Sequence, residues 1–216
     1  LHQQLFRDKH EDRAILNLGG VANLTILPAS GSIAGYDCGP GNCLMDAWTS
    51  RHLQKDYDDN GRWAAKGRLD PGMLDCLLAD PYFSQPPPKS TGLEYFNISW
   101  LDNLLVQSSL AEVDVQTTLA ELTARSIAVS LARSGLPARL LVCGGGVHNV
   151  FLMRRIAAAL PDVRVATTTR YGANPDWVEG LLFAWLAHQR LNGRVQDTAP
   201  ITGADHPVLL GDIHQP

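Results

Sequence analysis

The chain has 216 residues, 45% of them hydrophobic and 19% charged, with a formal net charge of -4. That length holds one or two domains with a sizeable core. The mildly acidic balance excludes the basic footprint of a nucleic-acid or anionic-membrane binder, and no apolar run is long enough to span a bilayer.

The chain opens Leu1-His2-Gln3-Gln4 without a Met, as a piece of a longer protein would. Ala14–Leu18 reads as a strand, Gly19-Gly20 as a turn using the positive φ that glycine tolerates, and Ala22–Leu27 as the return strand of a hairpin. Ile33–Asp37 is a third strand, ended by Cys38-Gly39-Pro40-Gly41-Asn42. A helix follows over Cys43–Leu53, with Leu44, Ala47, Trp48 and Arg51 at helical spacing. Trp63–Lys66 and Gly72–Ala79 read as short helices. Pro86, Pro87 and Pro88 make Gln85–Gly92 a stiff extended loop, and Asn97 or Ser99 can cap a helix starting near Trp100. Val115–Ser134 is the longest helical pattern, with a broad apolar face and a stop at Gly135 and Pro137. Arg139–Cys143 is a buried-type strand, followed by Gly144-Gly145-Gly146 and a helix over Asn149–Leu160. Val163–Ala166 is another strand and Asp176–Leu191 a final apolar helix, expected to share a core with Arg139–Leu160. From Asn192 the chain is a Gly- and Pro-punctuated tail. Alternating strands and helices after an opening hairpin predict an α/β fold with a mixed sheet flanked by helices.

Three glycine-rich turns are candidates for chemistry. Gly19-Gly20, with Asn23 just beyond, sits between strands where backbone N–H groups can meet phosphate oxygens; a plain hairpin turn is the bland alternative. Asp37 stands at a strand end beside a Gly-rich turn, where a carboxylate can act as a general base or merely cap the turn. Gly39, Gly41 and Asn42 follow it into a helix N-terminus that favours anions. Asp46 is the alternative carboxylate, expected to be a solvated helix residue. Gly144, Gly145 and Gly146, with His148 and Asn149, lie between a buried strand and a helix, where open α/β sheets bind ligands. The spacing matches neither a dinucleotide fingerprint nor a Walker loop. His148 lacks a second ligand at metal spacing, so a hydrogen-bonding role is expected of it. Lys89 sits in a loop that either reaches substrate or is solvated, and Glu179 either faces a cleft or complements the first turn of its helix. None of the four cysteines, Cys38, Cys43, Cys76 and Cys143, forms a C-x-x-C pair, which predicts reduced thiols in a cytoplasmic protein.

Taken in order, Asn17–Thr25 (NLGGVANLT), Asp37–Asn42 (DCGPGN) with Leu44–Trp48 (LMDAW), the Pro86–Gly92 loop with Glu94, Phe96 and Asn97, Val142–Asn149 (VCGGGVHN) and Asp176–Ala187 resemble the anhydro-N-acetylmuramic acid kinase family. The resemblance implies an actin-like, ribonuclease H-like ATPase fold, of which residues 1–216 would be the C-terminal part of a two-domain kinase whose N-terminal phosphate loop lies elsewhere. It implies ATP and Mg²⁺, a sugar from peptidoglycan turnover, and a cytoplasmic homodimer when complete, with no partner among nucleic acids or membranes. Asp37 would activate the water that opens the 1,6-anhydro ring, with Gly39, Gly41, Asn42 and Glu179 near the sugar. Gly19, Gly20, Asn23, Gly144, Gly145, Gly146, His148 and Asn149 would hold the nucleotide; no residue is assigned to metal. Cys38 stands where the family's Thr is expected, and Gly180 where Ala is usual. The alternatives are an inactive fragment or interaction module, or a related kinase for another sugar.

Overall fold

The computed structural model describes residues 1–106, 109–202 and 204–214. Its strands are β1 (Arg13–Leu18), β2 (Val21–Leu27), β3 (Ala34–Pro40), β4 (Arg139–Cys143) and β5 (Arg164–Thr167), and they form one sheet in the order β3-β2-β1-β4-β5. β1–β2 and β2–β3 pair antiparallel, β1–β4 and β4–β5 parallel, so the sheet is mixed. The helices are α1 (His2–Phe6), α2 (Cys43–Leu53), α3 (Pro71–Leu78), α4 (Pro81–Ser84), α5 (Ile98–Leu105), α6 (Glu112–Ser134), α7 (Val150–Ala159), α8 (Val178–Leu191) and α9 (Ala199–Thr202).

Strand alternation decides the layering. Ala14, Leu16 and Leu18 of β1, with Leu140 and Val142 of β4, face a large core built with α2, α6 and α7. Ile15, Leu141 and Cys143 point the other way into a small cluster with Phe6 and Val178. At about 25 cal/mol per Å² of apolar area removed from water, the α6 face dominates the stability. α6 is buried along most of its length and carries polar side chains inward, several of them bonded to backbone or to other side chains. Thr123 donates to the carbonyls of Pro40 and Gly41 at 3.1 and 2.9 Å, and Glu121 takes Arg125 and Arg155, tying α7 to α6.

Caps mark the helix starts much as the residues suggest. Asp70 accepts from Met73 N–H, Asn97 from Trp100 N–H and Asn149 from Leu152 N–H. Gly135 ends α6 with φ +84°.

Four expectations are corrected. Gly19 and Gly20 join β1 to β2 without positive φ; Gly39 and Gly144 carry it instead. β3 runs on to Pro40, so Asp37 lies within a strand. α8 does not share the main core: only Val178 and Gln189 are buried along it, while Phe183 is 63% and Leu191 74% exposed. The segment after Asn192 is not a mere tail, because α9 returns to β3 and Ile201 packs over Gly35. The short α1 was not legible either; Phe6 anchors it under the sheet.

Candidate active site

Hairpin geometry builds the first half of the site. Gly19, Gly20 and Val21 connect the paired ends of β1 and β2, which sets Leu18 opposite Ala22 and Asn17 opposite Asn23. A bulge between Ala22 and Asn23 then shifts the β2–β3 register and sets Asn23 opposite Asp37. In the other direction Asn17 is paired with Cys143. Paired residues share a face, so Asp37, Asn23, Asn17 and Cys143 form one row across four strands at the end of the sheet where the glycine turns lie. Asn17 was passed over as a site residue; its pairing with Asn23 depends on Val21 joining Gly19 and Gly20 in the connection.

Asp37 is half-buried, and its Oδ2 accepts the Thr91 N–H at 2.9 Å. No partner meets Oδ1 among the described residues. Burial pushes the Asp37 carboxyl above the usual range, opposed by the Thr91 N–H and the positive Lys89. The loop that supplies both groups runs along the free edge of β3, where Asp37 N–H donates to the Lys89 carbonyl at 3.1 Å. Lys89 is neither solvated nor free: its Nζ donates to the Tyr82 carbonyl at 2.9 Å and sits 4.3 Å from that ring's centre. Tyr82 in turn donates its hydroxyl to the Asp37 carbonyl at 2.9 Å. Cys38, by contrast, faces the core, fully buried, its thiol pushed up to about 12 by burial.

The turn after Asp37 docks onto the β1–β2 turn. Gly41 N–H donates to Gly20 O at 2.9 Å, and Asn42 N–H to Gly19 O at 2.8 Å. A Cβ at Gly41 would lie 2.2 Å from Gly19 O, and one at Gly39 2.7 Å from Phe83. Both glycines are buried packing residues, so their expected place against the sugar is corrected to one of support. A Cβ at Gly20 would be in ordinary contact with Leu93 at 3.4 Å and one at Gly19 with the Val21 carbonyl at 3.7 Å, and Gly20 is exposed, so the turn is open to solvent.

The second half is a cavity of about 680 Å³ whose lining includes Asn42 and Asp46 of the α2 start, Tyr57, and the Gly145–Val150 turn. That volume falls in the range of small-molecule sites, roughly 300–1,000 Å³. Gly145 has nothing within 4 Å of where its Cβ would stand, whereas a Cβ on Gly146 would strike Leu18. Gly144, at φ +86°, lies against Asn17. His148 bonds Asp176 at 2.8 Å, in keeping with a hydrogen-bonding role. Asn149 uses its side-chain oxygen to cap α7.

Asp46 is not the solvated helix residue expected. It is half-buried against the cavity, and burial together with the nearby negative Asp58 pushes its carboxyl up to about 6. Asn42, expected near the sugar, lines this cavity too. Glu179 is exposed in the first turn of α8, and its charge adds to the burial that holds the Cys143 thiol up at about 12. Among the described residues no three His, Cys, Asp or Glu side chains converge as a metal site. No helix among them is long and apolar enough to cross a membrane, and all four cysteines are free thiols.

The sequence matches the model of the family described as anhydro-N-acetylmuramic acid kinase over residues 1–216. The chain belongs to the anhydro-N-acetylmuramic acid kinase family. Relatives of that name include one from Pseudomonas syringae pv. syringae, 47% identical over 215 residues, and one from Xylella fastidiosa, 46% identical over 214. Each alignment covers 99% of this chain but only 59% and 56% of the relative, so the chain spans less than three fifths of their length. Among solved structures, the activator of the 2-hydroxyisocaproyl-CoA dehydratase from Clostridium difficile, with bound ADPNP, superposes with a TM-score of 0.51 at 14% identity. That match covers 86% of this chain and 64% of the activator. The shared architecture is a mixed sheet flanked by helices.

Proposed function

We propose that the protein carrying this chain is an ATP-dependent kinase that converts 1,6-anhydro-N-acetylmuramic acid to N-acetylmuramic acid 6-phosphate in the recycling of peptidoglycan. The observation that supports this best is the Asp37–Asn23–Asn17 row beside the open Gly19-Gly20 turn. A base needs one oxygen held and one free, and Asp37 has Oδ2 on the Thr91 N–H with Oδ1 unpartnered among the described residues. Its raised pKa brings it nearer the working pH, which favours proton uptake.

In this reading Asp37 takes a proton from water as the water oxygen bonds to the anomeric carbon. The bond from that carbon to O6 breaks, and O6 accepts the γ-phosphoryl group. Deprotonation of water by a carboxylate beside the anomeric carbon is familiar from inverting glycoside hydrolysis. The residues present fit a nucleotide: the cavity beside Gly145 is of suitable volume, and its glycine floor is open. Phosphates would lie over Gly19 and Gly20, with Mg²⁺ carried chiefly by phosphate oxygens and water and by at most one or two carboxylates, as that ion commonly is. Positioning and charge stabilisation are what phosphoryl transfer asks of a protein.

The test is turnover of the anhydro sugar by the full-length protein. Asp37→Asn should lose at least ~100-fold, the lower range for removing a general base. Near-normal turnover would sink the assignment. The 216-residue chain alone, at 59% of a relative's length, should form no 6-phosphate above a boiled control. A cytoplasmic homodimer belongs to the same reading; a monomeric mass by light scattering at micromolar concentration counts against it.

A further inference from the structure

The cavity beside Gly145 contains more ionisable groups than a nucleotide site of matching charge would, and almost all of them are already used. Asp58 accepts the N–H groups of Trp63 and Ala64 at 2.8 and 2.9 Å, one on each oxygen. Asp59 pairs with Arg62 at 3.3 Å and takes the Asn60 amide at 2.9 Å. His148 is bound to Asp176, and Asn149 caps α7. Asp46 is the one carboxylate of Asp46, Asp58 and Asp59 whose side chain has no partner among the described residues, although it is half-buried and borders the cavity.

A carboxylate left so is complemented by whatever enters. A phosphate is excluded there by like charge, since Asp58 and Asp59 line the same cavity. A divalent cation is poorly served, because the Asp58 oxygens are committed and no three acidic, His or Cys side chains converge. What remains is a pair of neutral donors spaced to match the two carboxylate oxygens, which is a vicinal diol. Above it, the ring of Tyr57 is 62% exposed at the cavity rim, a flat surface on which a base can stack.

We propose that Asp46 is the ribose-reading residue of this protein, accepting the 2′- and 3′-hydroxyls of the nucleotide while Tyr57 stacks on its base. This rests on the nucleotide reading of the cavity. Partial burial explains why the interaction selects: an acceptor that has already lost part of its water is poorly compensated when a hydroxyl is missing.

The experiment is equilibrium binding of ATP, 2′-deoxy-ATP, 3′-deoxy-ATP and inorganic tripolyphosphate to the full-length protein and to Asp46→Ala and Asp46→Asn. Wild type should bind each deoxy analogue roughly 10-fold or more weaker than ATP, as expected for losing a hydrogen bond to a charged acceptor. Asp46→Ala should bind ATP as weakly as the analogues, with no discrimination left and tripolyphosphate affinity unchanged. Asp46→Asn, which keeps the shape, should retain part of the discrimination. Wild type that binds ATP and both analogues equally overturns the role of Asp46 and leaves the nucleotide reading standing. Equal loss of ATP and tripolyphosphate in Asp46→Ala also overturns it, because the carboxylate would then act on the phosphate end. Failure of wild type to bind ATP at all removes the nucleotide reading itself.

Discussion

Asp46 should make the protein less stable at neutral pH than it would be without the charge. Its carboxyl stands at about 6 in the folded chain against an ordinary 3.8. The sign follows from the direction. A carboxyl whose folded pKa lies above its unfolded value binds its proton more tightly when folded. Its ionisation therefore costs stability, fully above about pH 6, progressively less as pH falls towards 3.8, and not at all below. At about 1.4 kcal/mol per pH unit, the whole rise would correspond to about 3 kcal/mol. The carboxylate keeps appreciable contact with water, and solvent screening reduces that to about 1–2 kcal/mol. Asp46→Asn removes the charge and keeps the shape. At pH 8 the variant should unfold at a urea midpoint reflecting that gain, or melt about 2–6 °C higher for a chain of this size. At pH 4 the two proteins should coincide. The difference between them, taken point by point from pH 4 to 8, cancels every other titrating group. A difference that stays flat across this range, or a variant less stable at pH 8, would refute the view of Asp46 as an uncompensated half-buried charge. Saturating ATP should shrink the gain, because the ligand supplies the partner the carboxylate lacks.

Three other substitutions probe the turns. Gly41→Ala places a Cβ 2.2 Å from the Gly19 carbonyl, backbone against backbone, and should cost about 1–3 kcal/mol by urea unfolding and disturb the Gly19-Gly20 turn with it. Gly145→Val meets nothing within 4 Å, so its melting curve should match wild type while ATP titration shows at least a tenfold loss; unchanged affinity in the folded variant would move the nucleotide elsewhere. Gly180→Ala, in α8 with open space around its Cβ, should raise stability by about 0.5–1 kcal/mol through helix propensity, measured by thermal melting.

Much of the fold was legible because the signals are local. Apolar alternation, Gly-Gly turns, the Asn97 cap, the helix start near Asn149 and the Gly135 stop each depend on residues a few positions apart, and each was placed to within a few residues. α8 shows where such reasoning stops. Its apolar residues promised burial, yet periodicity reports only that a face wants covering, and here Phe183 and Leu191 lie exposed. The Gly19-Gly20 turn shows a second limit: glycine was read as a sign of positive φ, and neither glycine here adopts it.

The site divides along the same line. That Asn17 and Asn23 share one hairpin could be read from the residues, but their pairing needs Val21 to join Gly19 and Gly20 in the connection, since a two-residue turn would set Asn17 opposite Ala22. Asp37 opposite Asn23 is further out of reach, because the bulge adds one residue and nothing in the surrounding residues announces it. Asp46 is harder still. Its helix is evident, but the walls that bury it come from residues 57–60 and 145–150, and they meet only because Gly61 leaves no side chain to strike Asn149 and Phe151. A Cβ on Gly61 would lie 2.3 Å from the Asn149 oxygen that caps α7. A glycine that reads as loop punctuation is thus what closes the cavity over Asp46. The environment that makes this carboxylate unusual is set by a close approach between segments more than eighty residues apart, which no pattern confined to α2 contains.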